Sequence, residues 1–172
     1  AFANPKKIIE ELALSAGQEV ADFGAGAGHY ALAAADKVGG EGAVYVIDIQ
    51  QELLTKAKSH ASEAQLKALH FIQGDLEEDQ GSHLKDDLVD AVIIANVLFQ
   101  IENKEACLKE AYRVLKPGGA LLITDWSDSF GGIGPQPEYL LSKDKAIALV
   151  ESSGFEKTRE FDAGGYHWGL LF

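Results

Sequence analysis

A glycine-rich turn between a strand pattern and a helix pattern constrains the fold of this 172-residue chain more than any other feature. Residues 19–23 have a strand pattern, and Gly24, Gly26 and Gly28 lead from it into a segment, 28–38, whose apolar spacing is helical. A strand that ends in such a turn brings backbone N–H groups and a helix N-terminus against a nucleotide-like ligand. We therefore expect a ligand site at the carboxyl end of the first strand.

The spacing of the glycines argues against a dinucleotide as that ligand. A dinucleotide-binding turn has a third glycine three residues after the second, and His29 stands at that position. Asp22 precedes the turn, and a carboxylate fixed there would repel a pyrophosphate and attract an ammonium group. A nicotinamide-dependent oxidoreductase is thus disfavoured, and a ligand with a positive amine and no phosphate is favoured.

Acidic residues also follow the next two predicted strands. Asp48 ends the run 43–48, roughly 20 residues beyond the glycine turn, about the spacing at which a carboxylate binds the hydroxyls of a ribose. Gly74 and Asp75 follow the run 69–73 and are suited to an exocyclic amine. A ribose, an adenine-like amine and an amino-acid head group together describe S-adenosyl-L-methionine.

In the order of these segments the chain resembles the class I S-adenosylmethionine-dependent methyltransferases. The residues that carry the resemblance are DFGAGAG at 22–28, VYVID at 44–48, GD at 74–75, DAVIIANVLFQI at 90–101 and RVLKPGGALLITDW at 113–126. The NVLFQI and RVLKPGG segments are most similar to members that methylate small molecules such as quinone precursors. The resemblance implies that the cofactor is held by Asp22, Gly24, Ala25, Gly26, Gly28, Asp48, Ile49, Gly74, Asp75, Leu76 and Asn96.

Alternating strand and helix patterns predict one α/β domain over residues 1–172, with a Rossmann-like, doubly wound sheet. Strands are predicted at 19–23, 43–48, 69–73, 88–95, 120–126, 155–161 and 166–172, and helices at 5–14, 28–38, 51–64, 104–115 and 143–153. Strands apolar on both faces indicate a mostly parallel sheet covered by helices on both sides. The last two strands, joined by a glycine turn at 163–165, predict a C-terminal antiparallel hairpin in a seven-stranded sheet.

Methyl transfer from a sulfonium is an in-line displacement, and a general base is needed only for an acceptor that is not already nucleophilic. Side chains that could serve as that base are His29, Tyr30, Asp125, Asp128 and His167, each with an ordinary structural role as the alternative. For His167 the simplest interpretation is a surface position. The Gly- and Pro-rich segment 127–142 is predicted to be an active-site loop, and residues 1–17 to contribute an N-terminal helix.

The resemblance also limits the acceptor. Family members that methylate nucleobase amines or glutamine amides carry an Asn/Asp-Pro-Pro-aromatic segment where this chain has Asn96-Val97-Leu98-Phe99, so those acceptors are disfavoured. An O, N or C atom of a small molecule is favoured. The alternative is a non-catalytic protein that binds the cofactor as a regulatory or accessory subunit, and a homodimer or another partner could supply a missing wall of the site.

Net charge and cysteine content limit which ligands, which cellular compartment and which metal sites are expected. The 27 acidic and 15 basic residues give a net charge of −12, which opposes nucleic acid and favours a cationic cofactor. No apolar run approaches the roughly 20 residues of a membrane span. Cys107 is the only cysteine, so no disulfide forms within the chain, which favours the cytoplasm and excludes the arsenic-methylating relatives that need several cysteines. The five histidines lack ligand spacing, and no metal site is expected.

Overall fold

A computed structural model describes residues 3–129 and 131–172. Its strands are β1 (Glu19–Phe23), β2 (Ala43–Asp48), β3 (Leu69–Gln73), β4 (Val89–Ala95), β5 (Leu115–Trp126), β6 (Arg159–Asp162) and β7 (His167–Leu171). Its α-helices are α1 (Pro5–Glu10), α2 (His29–Val38), α3 (Gln51–Glu63), α4 (Lys104–Val114) and α5 (Lys143–Ser152), and short 3-10 turns occupy Leu98–Gln100 and Pro137–Tyr139.

The strands form one seven-stranded sheet in the order β3-β2-β1-β4-β5-β7-β6. The first five of these pair in parallel, and β7 runs antiparallel to both β5 and β6. The predicted doubly wound sheet with a C-terminal antiparallel hairpin is therefore confirmed. Because the chain leaves β1 towards β2 and later returns to place β4 on the other side of β1, the carboxyl ends of β1 and β4 border the crevice in which ligands of such sheets bind.

Helices cover both faces of the sheet, as predicted. One apolar cluster joins the sheet to α4 and α5 through residues such as Leu108 and Val150. The other joins it to α1, α2 and α3 through residues such as Ile9, Ala34 and Leu54. Both faces of the central strands are therefore buried, which is why their sequences are continuous apolar runs rather than alternating ones.

Cys107 lies in the first of these clusters and is fully buried. Burial raises the pKa of its thiol to about 12, with a smaller contribution from nearby Glu77 and Glu110. A thiol that stays protonated at neutral pH is a poor nucleophile. Cys107 therefore packs as a small apolar side chain in α4.

The boundaries of some elements differ from the prediction. Helix α1 begins as expected, with the Asn4 side chain accepting a hydrogen bond from Lys7, but it ends at Glu10 rather than residue 14, and Ala13 has a left-handed φ of 48°. Strand β5 begins at Leu115 rather than 120, with a register shift opposite Val89 that absorbs the Pro-Gly-Gly segment. Strand β6 is short because pairing with β7 begins only at Arg159.

None of the helices in the described ranges, 3–129 and 131–172, combines the length and the apolar character that crossing a membrane would require. Likewise, no group of three or more His, Cys, Asp or Glu side chains in those ranges is arranged to hold a metal ion.

Candidate active site

A cavity of about 770 Å³ lies along the carboxyl edge of the parallel strands and reaches the first residue of β7. It is lined from every strand end at that edge and from the segment before α1. Its lining residues are Ala3, Pro5, Gly24, Ala25, Gly26, Ala27, His29, Tyr30, Asp48, Ile49, Gln50, Leu53, Gly74, Asp75, Leu76, Glu77, Ala95, Asn96, Val97, Gln100, Ile101, Trp126 and His167.

The glycines after β1 have different structural roles. A Cβ on Gly24 would lie 2.7 Å from both methyl carbons of Val97, and a Cβ on Gly28 would lie 2.8 Å from the Cβ of Ala57 in α3. A Cβ on Gly26 would meet no protein atom within 4 Å, and Gly26 lines the cavity. The outer two glycines therefore permit close packing, whereas the middle one leaves space for a ligand.

Most backbone N–H groups of this turn are already engaged. Gly24 donates to the Ile47 carbonyl at 2.8 Å, Gly28 donates to the Ala25 carbonyl at 2.9 Å, and Gly26 donates to the Asp48 carboxylate at 3.2 Å. A phosphate-binding turn instead points free N–H groups at its ligand. The geometry thus supports the prediction from sequence that no pyrophosphate lies over these glycines.

Asp48 is held rigidly at the end of β2. It is 7% exposed and lines the cavity, and its two carboxylate oxygens accept hydrogen bonds from Gly26 N at 3.2 Å and Gln50 N at 2.9 Å. These bonds fix the carboxylate while each oxygen retains acceptor capacity. The site therefore offers a preorganised anionic group for a pair of hydroxyls.

The wall next to Asp48 has an apolar and a polar part. Ile49 is 57% exposed at the cavity, although most large apolar side chains of the chain are buried. On the adjoining strand end, Asp75 orients its carboxylate by accepting a hydrogen bond from Glu77 N at 2.9 Å, and Gly74 and Leu76 lie beside it in the wall. An apolar surface beside a fixed carboxylate suits a flat ring that carries an amine.

Asp22 does not lie where its predicted role places it. It is 1% exposed, it is not among the residues that line the cavity, and its Oδ2 atom has no hydrogen-bond partner. Burial, and secondarily the charge of Asp48, raises its pKa to about 7, although a backbone hydrogen bond from Ala31 opposes the rise. The sequence argument assumed a fully charged carboxylate facing the ligand, whereas near neutral pH this group is only partly ionised and lies beneath the turn.

Asn96 ends β4 with a left-handed φ of 59°, a conformation that asparagine tolerates better than most residues. Its side chain lines the cavity, and its buried Oδ1 atom has no hydrogen-bond partner. Asn96 therefore both shapes the turn after β4 and lies in the cavity wall. An unsatisfied buried carbonyl beside a cavity indicates a position for a ligand donor.

The candidate bases separate into those at the cavity and those away from it. His29 and Tyr30, at the start of α2, line the cavity. Tyr30 is buried, its hydroxyl has no partner, and burial with the nearby charges of Asp22 and Asp125 raises its pKa to about 12, so it stays protonated. His29 is exposed and stacks on His60 at 6.1 Å between ring centroids.

Asp125 and Asp128 are outside the cavity lining. The Asp125 carboxylate is fully buried and accepts hydrogen bonds from Phe99 N at 3.0 Å and Trp126 N at 2.8 Å. It therefore fixes the turn after β4 to the end of β5, the ordinary role that the sequence left open. Asp128 is exposed and accepts a hydrogen bond from Ser129 N at 2.8 Å.

His167 occupies a place that its sequence context did not favour. It is 8% exposed rather than on the surface, and it lines the cavity. Neither ring nitrogen has a hydrogen-bond partner within the part of the chain that the structure describes. His167 stands opposite Trp126 in the pairing of β7 with β5, and the two rings pack with centroids 4.2 Å apart. Burial lowers the pKa of the imidazole below its usual 6.5, so the ring is neutral at physiological pH.

Several lining residues were absent from the prediction from sequence. Trp126 is the last residue of β5, so the same strand-end reasoning that identified Asp48 could have identified it. Ala3 and Pro5 are brought to the cavity only by the packing of α1 against α2, and no local pattern signals this. Gln100 ends the 3-10 turn after β4 and Ile101 follows it, and the sequence did not indicate this turn.

A family model described as a methyltransferase domain matches residues 14–160. The arsenite methyltransferase of Halobacterium salinarum is 32% identical over 124 residues, which cover 71% of this chain and 30% of that protein. The ubiquinone/menaquinone biosynthesis C-methyltransferase UbiE of Neisseria meningitidis is 33% identical over 114 residues, which cover 66% of this chain and 45% of that protein. The chain thus spans less than half the length of these two relatives.

Solved structures agree with the fold. A SAM-dependent methyltransferase from Aquifex aeolicus superposes with a TM-score of 0.88 at 29% identity and covers 99% of this chain and 89% of its own. The [4+2]-cyclase SpnF superposes with a TM-score of 0.78 at 24% identity, over 92% of this chain and 58% of its own, which is a likeness of fold alone. On the match of the family model across most of its length, this chain belongs to the methyltransferase domain family.

Proposed function

We propose that this protein is an S-adenosyl-L-methionine-dependent methyltransferase that acts on a small-molecule acceptor. The observation that carries the proposal is the Asp48 carboxylate, fixed by two backbone N–H groups at the edge of a glycine-lined cavity. Its position at the end of β2 is where the family resemblance puts the acid that binds both ribose hydroxyls. Membership of the methyltransferase domain family supports the same activity.

The chain's own residues divide the binding task. Asp48 takes the ribose hydroxyls, Ile49 packs against the adenine ring, and Asp75 with Leu76 and Gly74 contacts its exocyclic amine. Gly24, Ala25, Gly26 and Asn96 face the amino-acid part, while Gly28 and the buried Asp22 support the turn from behind. When bound, the cofactor supplies a methyl group on a positively charged sulfur. The protein aligns the acceptor with that group and excludes water from the site.

The charge of the cavity wall limits what is bound. Among the described residues that line the cavity there is no lysine or arginine, whereas Asp48, Asp75 and Glu77 are acidic. Such a wall attracts a cationic cofactor and disfavours the phosphates of a nucleic acid. A small, non-anionic acceptor fits these charges. Two relatives are named as an arsenite methyltransferase and a ubiquinone/menaquinone biosynthesis C-methyltransferase, and the single cysteine of this chain, Cys107, favours the second as the guide to the acceptor.

Substitution of Asp48 tests the cofactor site. We expect Asp48→Ala to weaken binding of S-adenosylhomocysteine by about 1.5–3 kcal/mol, roughly 10- to 150-fold, because a fixed charged acceptor is lost. Asp48→Asn, which keeps the side-chain volume and one acceptor oxygen, should lose less. Calorimetric titration measures both, with exposed Asp79→Ala as the control variant and thermal unfolding as the check on folding. Unchanged affinity in folded Asp48→Ala would refute the ribose assignment.

A transfer assay separates catalysis from binding alone. Fractionated cell metabolites and macromolecules are incubated with the protein and with cofactor carrying a labelled methyl group. Label in a small-molecule fraction supports the proposal, and label only in nucleic acid or protein contradicts the acceptor class. Cofactor binding with no transfer to any fraction would favour the alternative, a regulatory or accessory protein that holds the cofactor.

A further inference from the structure

The cavity has two ends that differ in chemistry. In the order of the strands, β2 and β3 lie on one side of the glycine turn, and β5 and β7 lie on the other. The acidic residues Asp48, Asp75 and Glu77 come from the β2 and β3 side. Trp126 and His167 come from the β5 and β7 side. If the cofactor occupies the first side, as the proposed function requires, the second side faces the acceptor.

At that second end, His167 has an imidazole to which the described part of the fold gives no hydrogen bond. Both of its ring nitrogens are buried and have no hydrogen-bond partner among residues 3–129 and 131–172, although a buried polar group of this kind is normally paired. A neutral imidazole has one N–H donor and one nitrogen lone pair. The vacant pairing capacity on a side chain that lines the cavity indicates that its partner is a bound molecule.

We propose that His167 is a catalytic residue that accepts the proton of an uncharged acceptor whose nucleophilic atom is a ring-conjugated hydroxyl or ring N–H. This inference rests on the proposed function, because it assigns the acceptor end of the same cavity. No lysine or arginine lines the described part of the cavity to balance an anion. The wall therefore favours a neutral acceptor over an anionic one. A neutral acceptor of this class becomes nucleophilic only as its proton leaves, and His167 can accept that proton.

The step is balanced by the groups named. The O–H or N–H bond of the acceptor breaks, and its proton passes to the free ring nitrogen of His167. The electron pair left on that oxygen or nitrogen forms the new bond to the methyl carbon. A bound sulfonium cofactor would supply that methyl carbon, and the electron pair of its C–S bond would stay on the sulfur. The protonated imidazole then releases its proton to water.

Trp126 is the positioning residue for this base. Its ring packs on His167 at 4.2 Å on one side, and the backbone of Gly134 approaches it closely, since a Cβ on Gly134 would lie 2.9 Å from the indole ring. Gly134 thus contacts the indole of Trp126, and the indole in turn contacts the imidazole of His167. This packing holds the imidazole in place at the β5 and β7 end of the cavity.

Other titratable groups near His167 are few and have different roles. On α2, His29 is exposed and Tyr30 is held protonated by its raised pKa. Asp125 lies one residue from Trp126 on β5, and successive strand residues point to opposite faces, so its carboxylate faces away from His167. Tyr166 precedes His167 in the hairpin. Asp48, Asp75 and Glu77 lie at the opposite end of the cavity.

Binding experiments test the inference without turnover. The probes are phenol for the hydroxyl, benzimidazole for the ring N–H and benzoate as a flat anion, each titrated with and without S-adenosylhomocysteine. We expect wild-type protein to bind phenol or benzimidazole at least about tenfold more tightly than benzoate. His167→Gln should weaken that binding about tenfold, and His70→Gln, a matched change on exposed β3, should not.

The fluorescence of Trp126 provides a second readout. Because a protonated imidazole quenches a neighbouring indole, wild-type emission should fall on acidification with a midpoint below pH 6.5, and this transition should be absent in His167→Gln. A midpoint above that value, or the same transition in the variant, would contradict a neutral His167 packed on Trp126.

Kinetics test the proton transfer itself. With phenol as acceptor, His167→Gln should lower kcat for anisole formation by about 100-fold or more. The KM for the cofactor should stay within about twofold. In His167→Ala, added imidazole should restore part of the rate, a rescue that a purely structural histidine would not give.

The outcomes distinguish the two proposals. Failure of wild-type protein to bind S-adenosylhomocysteine contradicts the proposed function, and the ring-probe titrations without cofactor still report on His167. Two results would overturn the inference and leave the cofactor assignment intact. In the first, the protein binds the cofactor but prefers benzoate to the neutral ring probes. In the second, His167→Gln changes neither the binding of the ring probes nor the formation of anisole.

Discussion

At the level of single residues, two buried carboxylates have unusual electrostatics. Asp22 and Asp125 are almost completely inaccessible, and burial is the largest cause of their raised pKa values, about 7 and about 6. Asp125 is compensated by two backbone hydrogen bonds, whereas Asp22 leaves one oxygen unpaired. Asp22 therefore carries the larger penalty when it ionises.

The raised pKa of Asp22 gives stability a predictable pH dependence. The folded protein binds this proton more tightly than the unfolded chain, so the contribution of Asp22 is fully present below pH 3.8 and is lost as pH rises to about 7. We expect Asp22→Asn to increase the free energy of unfolding at pH 8 by at most about 4 kcal/mol relative to wild type. Urea denaturation without cofactor measures this difference.

The control for this prediction is exposed Asp36→Asn on α2, which should change the unfolding free energy little at any pH. The gain from Asp22→Asn should shrink steadily as the measurements move from pH 8 towards pH 4. A gain of constant size over that range, or a loss at pH 8, would show that ionisation of Asp22 is not the cause.

At the level of elements, the segment around Gly134, which follows β5, packs against the cavity-lining Trp126. Gly134 has a φ of 86°, and its backbone lies against the indole of Trp126. We expect Gly134→Ala to displace Trp126 and, through it, His167. Phenol binding should weaken by about tenfold or more, while the affinity for S-adenosylhomocysteine stays within about twofold.

Gly132→Ala is the matched control for backbone strain. Gly132 has a similar φ of 82°, but a Cβ there would meet no atom within 4 Å. Both variants should lose stability through the unfavourable backbone conformation, and only Gly134→Ala should change Trp126 fluorescence and phenol binding. Equal effects of the two substitutions on phenol binding would contradict a specific role for the contact with Trp126.

Element boundaries were predicted best where the chain alone defines them. Strands β2 and β3 begin and end as predicted because local residues mark their ends. Gly42 precedes β2, whose apolar run stops at Asp48, and Gly74 follows β3. Strand β5 extends further back than predicted because Leu115 pairs with Val89 across a register shift. Strand β6 is shorter because its start depends on where β7 can pair with it. Pairing partners are not encoded in the local pattern.

For the whole molecule, we expect cofactor binding to increase the free energy of unfolding. The residues proposed to bind the cofactor lie at the ends of four strands, so a bound ligand would join segments that are far apart in sequence. At a free concentration 100 times its Kd, S-adenosylhomocysteine should raise the unfolding free energy by about 2.7 kcal/mol. Thermal unfolding followed by circular dichroism measures the shift, with NAD at the same concentration as the control. A larger shift with NAD would contradict the cofactor assignment.

The sequence by itself determined the α/β alternation, the C-terminal hairpin and the strand-end positions of Asp48 and Asp75. These follow from local rules, since an apolar run sets a strand and the residue after a parallel strand lies at the ligand edge. The family to which the chain belongs, the methyltransferase domain family, is the kind of family that its pattern of motifs indicated.

Only the tertiary structure decided which polar side chains are buried and which face the cavity. Asp22 lies under the turn rather than in the wall, and Asp125 fixes a loop. His167 is buried against Trp126 because β7 pairs with β5 in a register that no local pattern specifies. Burial and partner contacts arise from segments distant in the chain, and these contacts set both the charge of a side chain and its access to a ligand.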